Sequence, residues 1–394
     1  SGAVAAMGGI TETAMAQVLT GPLAAEAPVP RPFGVTVHRE YNPEGRTSTN
    51  IVPGLLAVIL SLTMVMITAV AIVPAAEQND GTIERIKVHG TSLEGNLEGD
   101  SPDRDVVIYL PPSYRTSPAK RYPVVYFLHG YGINVDAYVN LLNLPKTADD
   151  VIAAGTKEMI IVLPDAHTVY NGSMYSNSPT TGDWEGFIAR DLVAYIDSNY
   201  RTLAHRDSRG LSGHSMGGYG TVRIGMKYPE VFSALYAMSS CCLMNTVSLP
   251  PVRKEAPSED APAPAPEGKP NPFARVAQAQ AAAWAPNPAN PPDYFDLPTK
   301  DGEIQPLVAA KYAANSPLAM ASQYVSSLKR YRAIVMDVGD KDFLRAMNVE
   351  LHGELNRLGV PHVFEEYEGD HGNRVASRFQ NNVMSFFSRQ LKFE

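Results

Sequence analysis

A serine with glycine two residues before it and two after it sits in Leu211-Ser212-Gly213-His214-Ser215-Met216-Gly217-Gly218-Tyr219-Gly220. A hydroxyl becomes a useful nucleophile when a sharp strand-to-helix turn lifts it clear of the backbone. Such a turn leaves room only for tiny residues at the two flanking positions. Gly213 and Gly217 meet that demand. The turn also sets the Met216 N–H at a helix start, aimed where an attacked carbonyl oxygen gathers charge. Glycine and serine are common, so the reading depends on partners elsewhere in the chain.

A serine hydroxyl needs a base, and the base needs an acid to orient it. On a parallel α/β sheet these follow in the order serine, acid, histidine, each at the C-terminal end of a strand. Arg332-Ala333-Ile334-Val335-Met336 leads into Asp337-Val338-Gly339-Asp340-Lys341-Asp342. His362-Val363-Phe364-Glu365-Glu366-Tyr367 leads into Glu368-Gly369-Asp370-His371-Gly372-Asn373. Of the nine histidines, only His371 follows the last apolar run in a glycine-flanked loop ahead of a helix. His214, inside the serine turn, reads as pointing away. Three aspartates compete for the acid. Asp337 reads as closing its strand and Asp340 as part of the turn after Gly339, so Asp342 is favoured. Tyr126-Phe127-Leu128-His129-Gly130-Tyr131-Gly132 ends an apolar strand in a glycine-rich loop, which offers the Tyr131 N–H as second oxyanion donor beside Met216.

The elements that must position these groups show in the hydrophobic pattern. Short apolar runs at 106–110, 124–128, 160–163, 234–238, 333–338 and 362–367 predict strands, several of them apolar on both faces. Between them, 183–200 places Trp184, Phe187, Ile188, Leu192, Tyr195 and Ile196 on one helical stripe, and 341–358 and 374–391 repeat the pattern. Strands alternating with helices predict an α/β fold, a mostly parallel sheet covered on both faces.

The chain has 394 residues, 44% of them hydrophobic and 19% charged, with a net charge of −8. That balance, without a basic cluster, argues against nucleic acid as a partner. Cys241 and Cys242 are adjacent, which argues against an ordinary intrachain bridge. No Cys-x-x-Cys or His-x-x-x-His pair suggests a metal site, and the chemistry above needs no cofactor. The run at 51–76, IVPGLLAVILSLTMVMITAVAIVPAA, carries no charge and reaches the roughly 20 residues of a spanning helix. It reads as a signal peptide or membrane anchor, so export is expected, with cleavage at small residues such as Ala75 and Ala76 left open. Residues 1–50, rich in Ala, Gly, Pro and Thr, read as disordered or as lying upstream of the true start. Residues 77–394 then form the catalytic domain, interrupted at 247–316 by a Pro- and Ala-rich, lid-like insertion. Trp184 and the insertion's Trp284, with Tyr131, are candidate walls of a substrate pocket.

The segments Tyr109-Leu110-Pro111-Pro112-Ser113-Tyr114, Tyr122-Pro123-Val124-Val125-Tyr126-Phe127-Leu128-His129-Gly130, Gly182-Asp183-Trp184-Glu185 and Tyr200-Arg201-Thr202, followed by the serine turn, resemble the esterase D and feruloyl esterase-like group of α/β-hydrolases. The resemblance runs in order from about Thr82 to the C terminus. It implies action on carboxylic esters, with Ser215 as nucleophile, His371 as base, Asp342 as acid and Tyr131 and Met216 as oxyanion donors. The group includes S-formylglutathione hydrolases, feruloyl and acetyl xylan esterases and mycolyltransferases. The expected reaction is hydrolysis of a small-molecule or polysaccharide-linked ester, aryl or carbohydrate-linked, of feruloyl or acetyl type. The alternatives are acyl transfer in the mycolyltransferase manner, thioester hydrolysis in the S-formylglutathione hydrolase manner, and a non-catalytic binding protein on the same fold. The insertion and the apolar run depart from the compact cytosolic members, which counts against the glutathione thioester. Neither the residues nor the resemblance implies an oligomeric state.

Overall fold

The computed structural model describes residues 80–244, 273 and 275–394. The segments 1–50 and 51–76, and residues 247–272 of the expected insertion, lie outside the described residues. Among those described, no helix is long and apolar enough to cross a membrane.

Eight strands make the central sheet: β1 (Thr82–His89), β2 (Asp103–Leu110), β3 (Val124–Leu128), β4 (Ile160–Pro164), β5 (Arg209–His214), β6 (Ala234–Met238), β7 (Ala333–Gly339) and β8 (Val363–Tyr367). Their spatial order is β1-β2-β4-β3-β5-β6-β7-β8. β1 and β2 run antiparallel to their neighbours, and from β4 onward every pairing is parallel. The six apolar runs of the sequence become six of these strands. β2 sends Val106, Ile108 and Leu110 to one face and Val107 and Tyr109 to the other, and both sets are buried. A strand buried on both faces has no polar side to alternate with, which is why the runs of β2, β3, β4, β6 and β7 read as continuous apolar stretches, whereas the edge strand β8 keeps exposed positions. This is the α/β-hydrolase fold.

Helices cover the two faces: α1 (Val135–Leu142), α2 (Leu144–Ala153), α3 (184–199), α4 (Met216–Lys227), α5 (Val276–Trp284), α6 (Pro306–Ala314), α7 (Arg345–Arg357) and α8 (375–390). Asp183 caps α3 by accepting the Gly186 N–H at 2.9 Å. The pattern at 341–358 predicts four more residues at the start of α7. Instead the Asp342 carboxylate accepts the Leu344 N–H at 2.8 Å, and this local bond competes with helical pairing and makes a turn. In the described half of the insertion, Ala279, Ala281, Ala282 and Trp284 of α5 join the main core. Ser178 Oγ ties that helix down by donating to the Ala282 carbonyl at 2.6 Å.

Parallel register sets the strand ends that matter side by side. Leu128 pairs with Gly213, His214 with Met238, Met238 with Asp337, and Gly339 with Tyr367. The loops after β3, β5, β7 and β8 therefore leave one edge of the sheet together. α4 leaves β5 so close to β3 that a Cβ on Gly217 would collide with the Leu128 carbonyl, and one on Gly213 with the Gly217 carbonyl. Gly353, on the exposed side of α7, has open space around it. Gly217→Ala should therefore cost about 3 kcal/mol or more in chemical denaturation, whereas Gly353→Ala should gain about 0.5–1 kcal/mol. Equal behaviour of the two variants would show that the close approach of α4 to β3 is not what demands glycine.

Candidate active site

Ser215 joins β5 to α4 at φ 59°, ψ −114°, a conformation an L residue adopts only when its surroundings impose it. Three backbone bonds impose it here. The Ser215 N–H donates to the Met238 carbonyl at 3.0 Å, and its own carbonyl accepts the Tyr219 N–H at 3.0 Å and the Cys241 N–H at 3.1 Å. The side chain is left half-buried and open to the strand-end edge.

His371, in the loop after β8, stands across from it. Ser215 Oγ lies 2.9 Å from His371 Nε2, and His371 Nδ1 lies 3.0 and 3.2 Å from the two oxygens of Asp342. Asp342 is fully buried at its side chain and His371 keeps 21% of its side-chain surface. The Nδ1–H therefore donates to the carboxylate, leaving Nε2 bare to accept the serine proton. Burial alone would raise the Asp342 pKa, but the hydrogen bond and charge of His371 outweigh it and hold the carboxyl below its usual value. The other two aspartates are occupied elsewhere. Asp337 is buried on β7 in an ion pair with Arg378 at 2.7 Å, and it accepts the Tyr236 hydroxyl at 2.8 Å. Asp340 accepts the Gly369 N–H at 2.9 Å and so ties the turn after β7 to the turn after β8.

The loop after β3 closes the other side of Ser215. A Cβ on Gly130 would come within 3.5 Å of Ser215 Cβ. Among the described residues, neither the Tyr131 N–H nor the Met216 N–H donates a hydrogen bond. Met216 is the first residue of α4, whose opening N–H groups have no partner within the helix. The side chains of Tyr131 and Met216 converge over Gly172, where a Cβ would lie 2.6 Å from the tyrosine ring and 2.7 Å from the methionine sulfur. His129 sets the direction of the Tyr131 N–H. Its Nε2 accepts the Ala166 N–H at 2.8 Å, so its Nδ1–H donates to the Gly130 carbonyl, also at 2.8 Å. In a trans peptide the carbonyl and the next N–H point opposite ways. Holding the Gly130 oxygen on one side therefore turns the Tyr131 N–H to the other.

Two findings depart from the sequence reading. His214 does not point away: its Nε2 donates to the His371 carbonyl at 2.8 Å, and the two rings lie 4.8 Å apart. Burial first, and then the neighbouring His371, push its pKa down to about 3, so it stays neutral and keeps the Nε2 proton that makes this bond. Trp184 is 1% exposed. It packs edge-on against Phe187 with its indole N–H on the Thr181 carbonyl at 2.8 Å. Trp284 is 2% exposed, wedged between Tyr219 and Tyr312 with its N–H on Ser176 Oγ at 3.1 Å. Both rings are core rather than cleft surface, because each belongs to the buried stripe of its helix. Phe343 is an accessible aromatic beside His371, 45% exposed with its ring 4.8 Å away. Tyr131 stacks on Phe273 of the insertion at 5.9 Å. Among the described residues, no group of three His, Cys, Asp or Glu side chains is placed to hold a metal ion.

The family model described as "Putative esterase" matches residues 101–383. An esterase of Mycobacterium tuberculosis is 36% identical over 134 residues, covering 33% of this chain and 27% of that protein. An endo-1,4-beta-xylanase/feruloyl esterase of Xylanibacter ruminicola is 28% identical over 168 residues, covering 41% of this chain and 23% of that protein. The aligned stretches thus span about a quarter of these curated relatives. Among solved structures, a ferulic acid esterase superposes with a TM-score of 0.57 at 22% identity, over 79% of this chain and 99% of that one.

Two substitutions test the geometry. Asp342→Asn should slow labelling of Ser215 by a fluorophosphonate by roughly 10³–10⁴-fold, while Asp340→Asn, whose amide oxygen can still accept the Gly369 N–H, should cost less than about tenfold. A reversed order would move the acid to Asp340. His214→Leu should slow labelling about tenfold through loss of one buried hydrogen bond. His214→Gln, with an amide N–H for the same carbonyl, should recover most of the rate. A glutamine variant as slow as the leucine one would assign His214 to packing alone.

Proposed function

The chain belongs to the "Putative esterase" family, and we propose that it is a serine carboxylic-ester hydrolase working through an acyl-enzyme. The observation that carries the proposal is the unbroken hydrogen-bonded line from Asp342 through His371 to Ser215 Oγ. In the proposed reaction Ser215 Oγ attacks the ester carbonyl carbon as His371 Nε2 takes its proton. Asp342 holds the imidazole tautomer and faces the imidazolium that forms. The Tyr131 and Met216 N–H groups receive the oxyanion, each contributing about 3–4 kcal/mol of transition-state stabilisation. The tetrahedral intermediate collapses, His371 returns the proton to the leaving alcohol, and water repeats the sequence to release the acid.

For the substrate we propose an aryl or carbohydrate-linked ester of feruloyl or acetyl type. Phe343 beside the base, and the Tyr131–Phe273 stack, offer flat apolar surface to an aromatic acyl group. The relative from Xylanibacter ruminicola is named for feruloyl ester cleavage. Export is part of the proposal and rests on the uncharged run at 51–76. Cell fractionation that left the protein in the cytosol would remove that part.

The decisive experiment is turnover of p-nitrophenyl and methyl hydroxycinnamate esters by the wild type and by Ser215→Ala, with and without an added alcohol acceptor. The expected outcome is free acid as the main product, faster for the aryl acyl group, and at least about 10³-fold loss in the serine variant. Ester products in place of free acid would make the protein an acyltransferase. A folded wild type whose Ser215 resists both esters and a fluorophosphonate would leave a binding protein on a hydrolase fold.

A further inference from the structure

Cys241 and Cys242 are the two cysteines of the chain, and both thiols are free and half-buried. They follow β6 on the strand-end edge that carries Ser215. Their sulfurs lie 2.7 Å apart, and Cys242 has φ 58°. Gln280 of α5 reaches the Cys242 sulfur at 3.7 Å. The pair is one hydrogen bond from the nucleophile, because the Cys241 N–H is among the groups that hold the Ser215 carbonyl.

We propose that Cys241 and Cys242 form a reversible vicinal disulfide under hydroperoxide, and that its formation slows the serine chemistry. One thiol takes an oxygen from the hydroperoxide, giving a sulfenic acid and the corresponding alcohol or water. The second thiol displaces water from it to make the S–S bond. Two thiols are oxidised, one peroxide bond is reduced, and both thiol protons leave in water or alcohol. The hydrogen bond with Cys242, and then burial, raise the Cys241 thiol pKa, which disfavours Cys241 as the thiolate that meets the peroxide.

Backbone geometry couples this bond to the site. Adjacent Cα atoms stand about 3.8 Å apart across a trans peptide, shorter than the roughly 4.4–6.8 Å of ordinary disulfides. Ring closure must therefore distort the link between the two residues. Both flanks are clamped. The Ser240 carbonyl accepts from Asn348 Nδ2 at 2.9 Å, and the Leu243 carbonyl accepts from Ser316 Oγ at 2.6 Å and the Leu318 N–H at 3.0 Å. The distortion then loads the bond from the Cys241 N–H to the Ser215 carbonyl. A strained disulfide is also readily reduced, the property of a labile rather than a structural bridge.

The inference rests on the proposed hydrolase reading for its activity readout alone, since the chemistry at sulfur is followed by mass. The full chain is treated with tert-butyl hydroperoxide, then its thiols are titrated under denaturing conditions, the peptide carrying residues 241 and 242 is weighed, and p-nitrophenyl acetate turnover is measured. Both thiols should vanish together, with a mass loss of two hydrogens on that peptide. kcat/KM should fall roughly fivefold, as for one backbone hydrogen bond, and return with dithiothreitol. Cys242→Ser should keep its activity through the same treatment. Oxygen addition without the bridge, or thiols that survive the peroxide, would overturn the proposal whatever the activity. A bridge that forms and leaves turnover unchanged would overturn its link to Ser215. Failure of the untreated protein to turn over any ester counts against the hydrolase reading instead.

Discussion

The backbone of Ser215 is held where an L residue does not rest unaided, at φ 59°, and the neighbouring structure is arranged around keeping it there. β6 supplies the acceptor for its N–H, α4 and the segment after β6 supply donors for its carbonyl, and β3 presses so close that only glycine fits at 217. A turn held this way points its hydroxyl in one direction without side-chain freedom to lose at the moment of reaction. The rest of the site is then a matter of bringing His371 and the two proposed donors to a fixed oxygen.

Those groups arrive by two different routes. Side chains come from the loops after β7 and β8, where strand pairing and the Asp340–Gly369 bond set Asp342 and His371 on one frame. The proposed oxyanion donors come from the backbone, and their aim is decided by what binds the other end of the same peptide. His129 does this for Tyr131, and a helix start does it for Met216. Two buried histidines thus serve as struts, His129 for the Tyr131 peptide and His214 for the His371 loop.

Much of this was legible in the chain. Five of the six apolar runs became strands buried on both faces, a signal that needs no partner to interpret, while the sixth became the partly exposed edge strand β8. The meeting of Ser215, Asp342 and His371 was readable because Ser215 carries its own glycine-flanked turn and the other two each follow such a run in a turn-rich loop. The sequence did not reveal His214, whose partner is a backbone carbonyl 157 residues away, and a carbonyl has no residue type to recognise. Phe343 left a faint signal, a large apolar residue directly after the acid in a polar turn. Trp184 and Trp284 were read as pocket walls, yet Trp184 already lay on the helical stripe of 183–200. The start of α7 was set too early because Asp342 offered its own turn the hydrogen bond that the helix lacked. For the adjacent cysteines, chain distance argued against an ordinary bridge but said nothing about how close the fold would bring the sulfurs.

The bond from His214 to the His371 carbonyl can also be considered as a question of dimensional tolerance. Without it, the gap between Ser215 and the imidazole would be the closing dimension of a chain running from β5 through β6 and β7 to β8, and small displacements at each pairing would add. The imidazole beside the nucleophile short-circuits that chain, gauging the base loop directly against the turn it must serve. The reacting distance then depends on one short link, and the sheet between can breathe without detuning it.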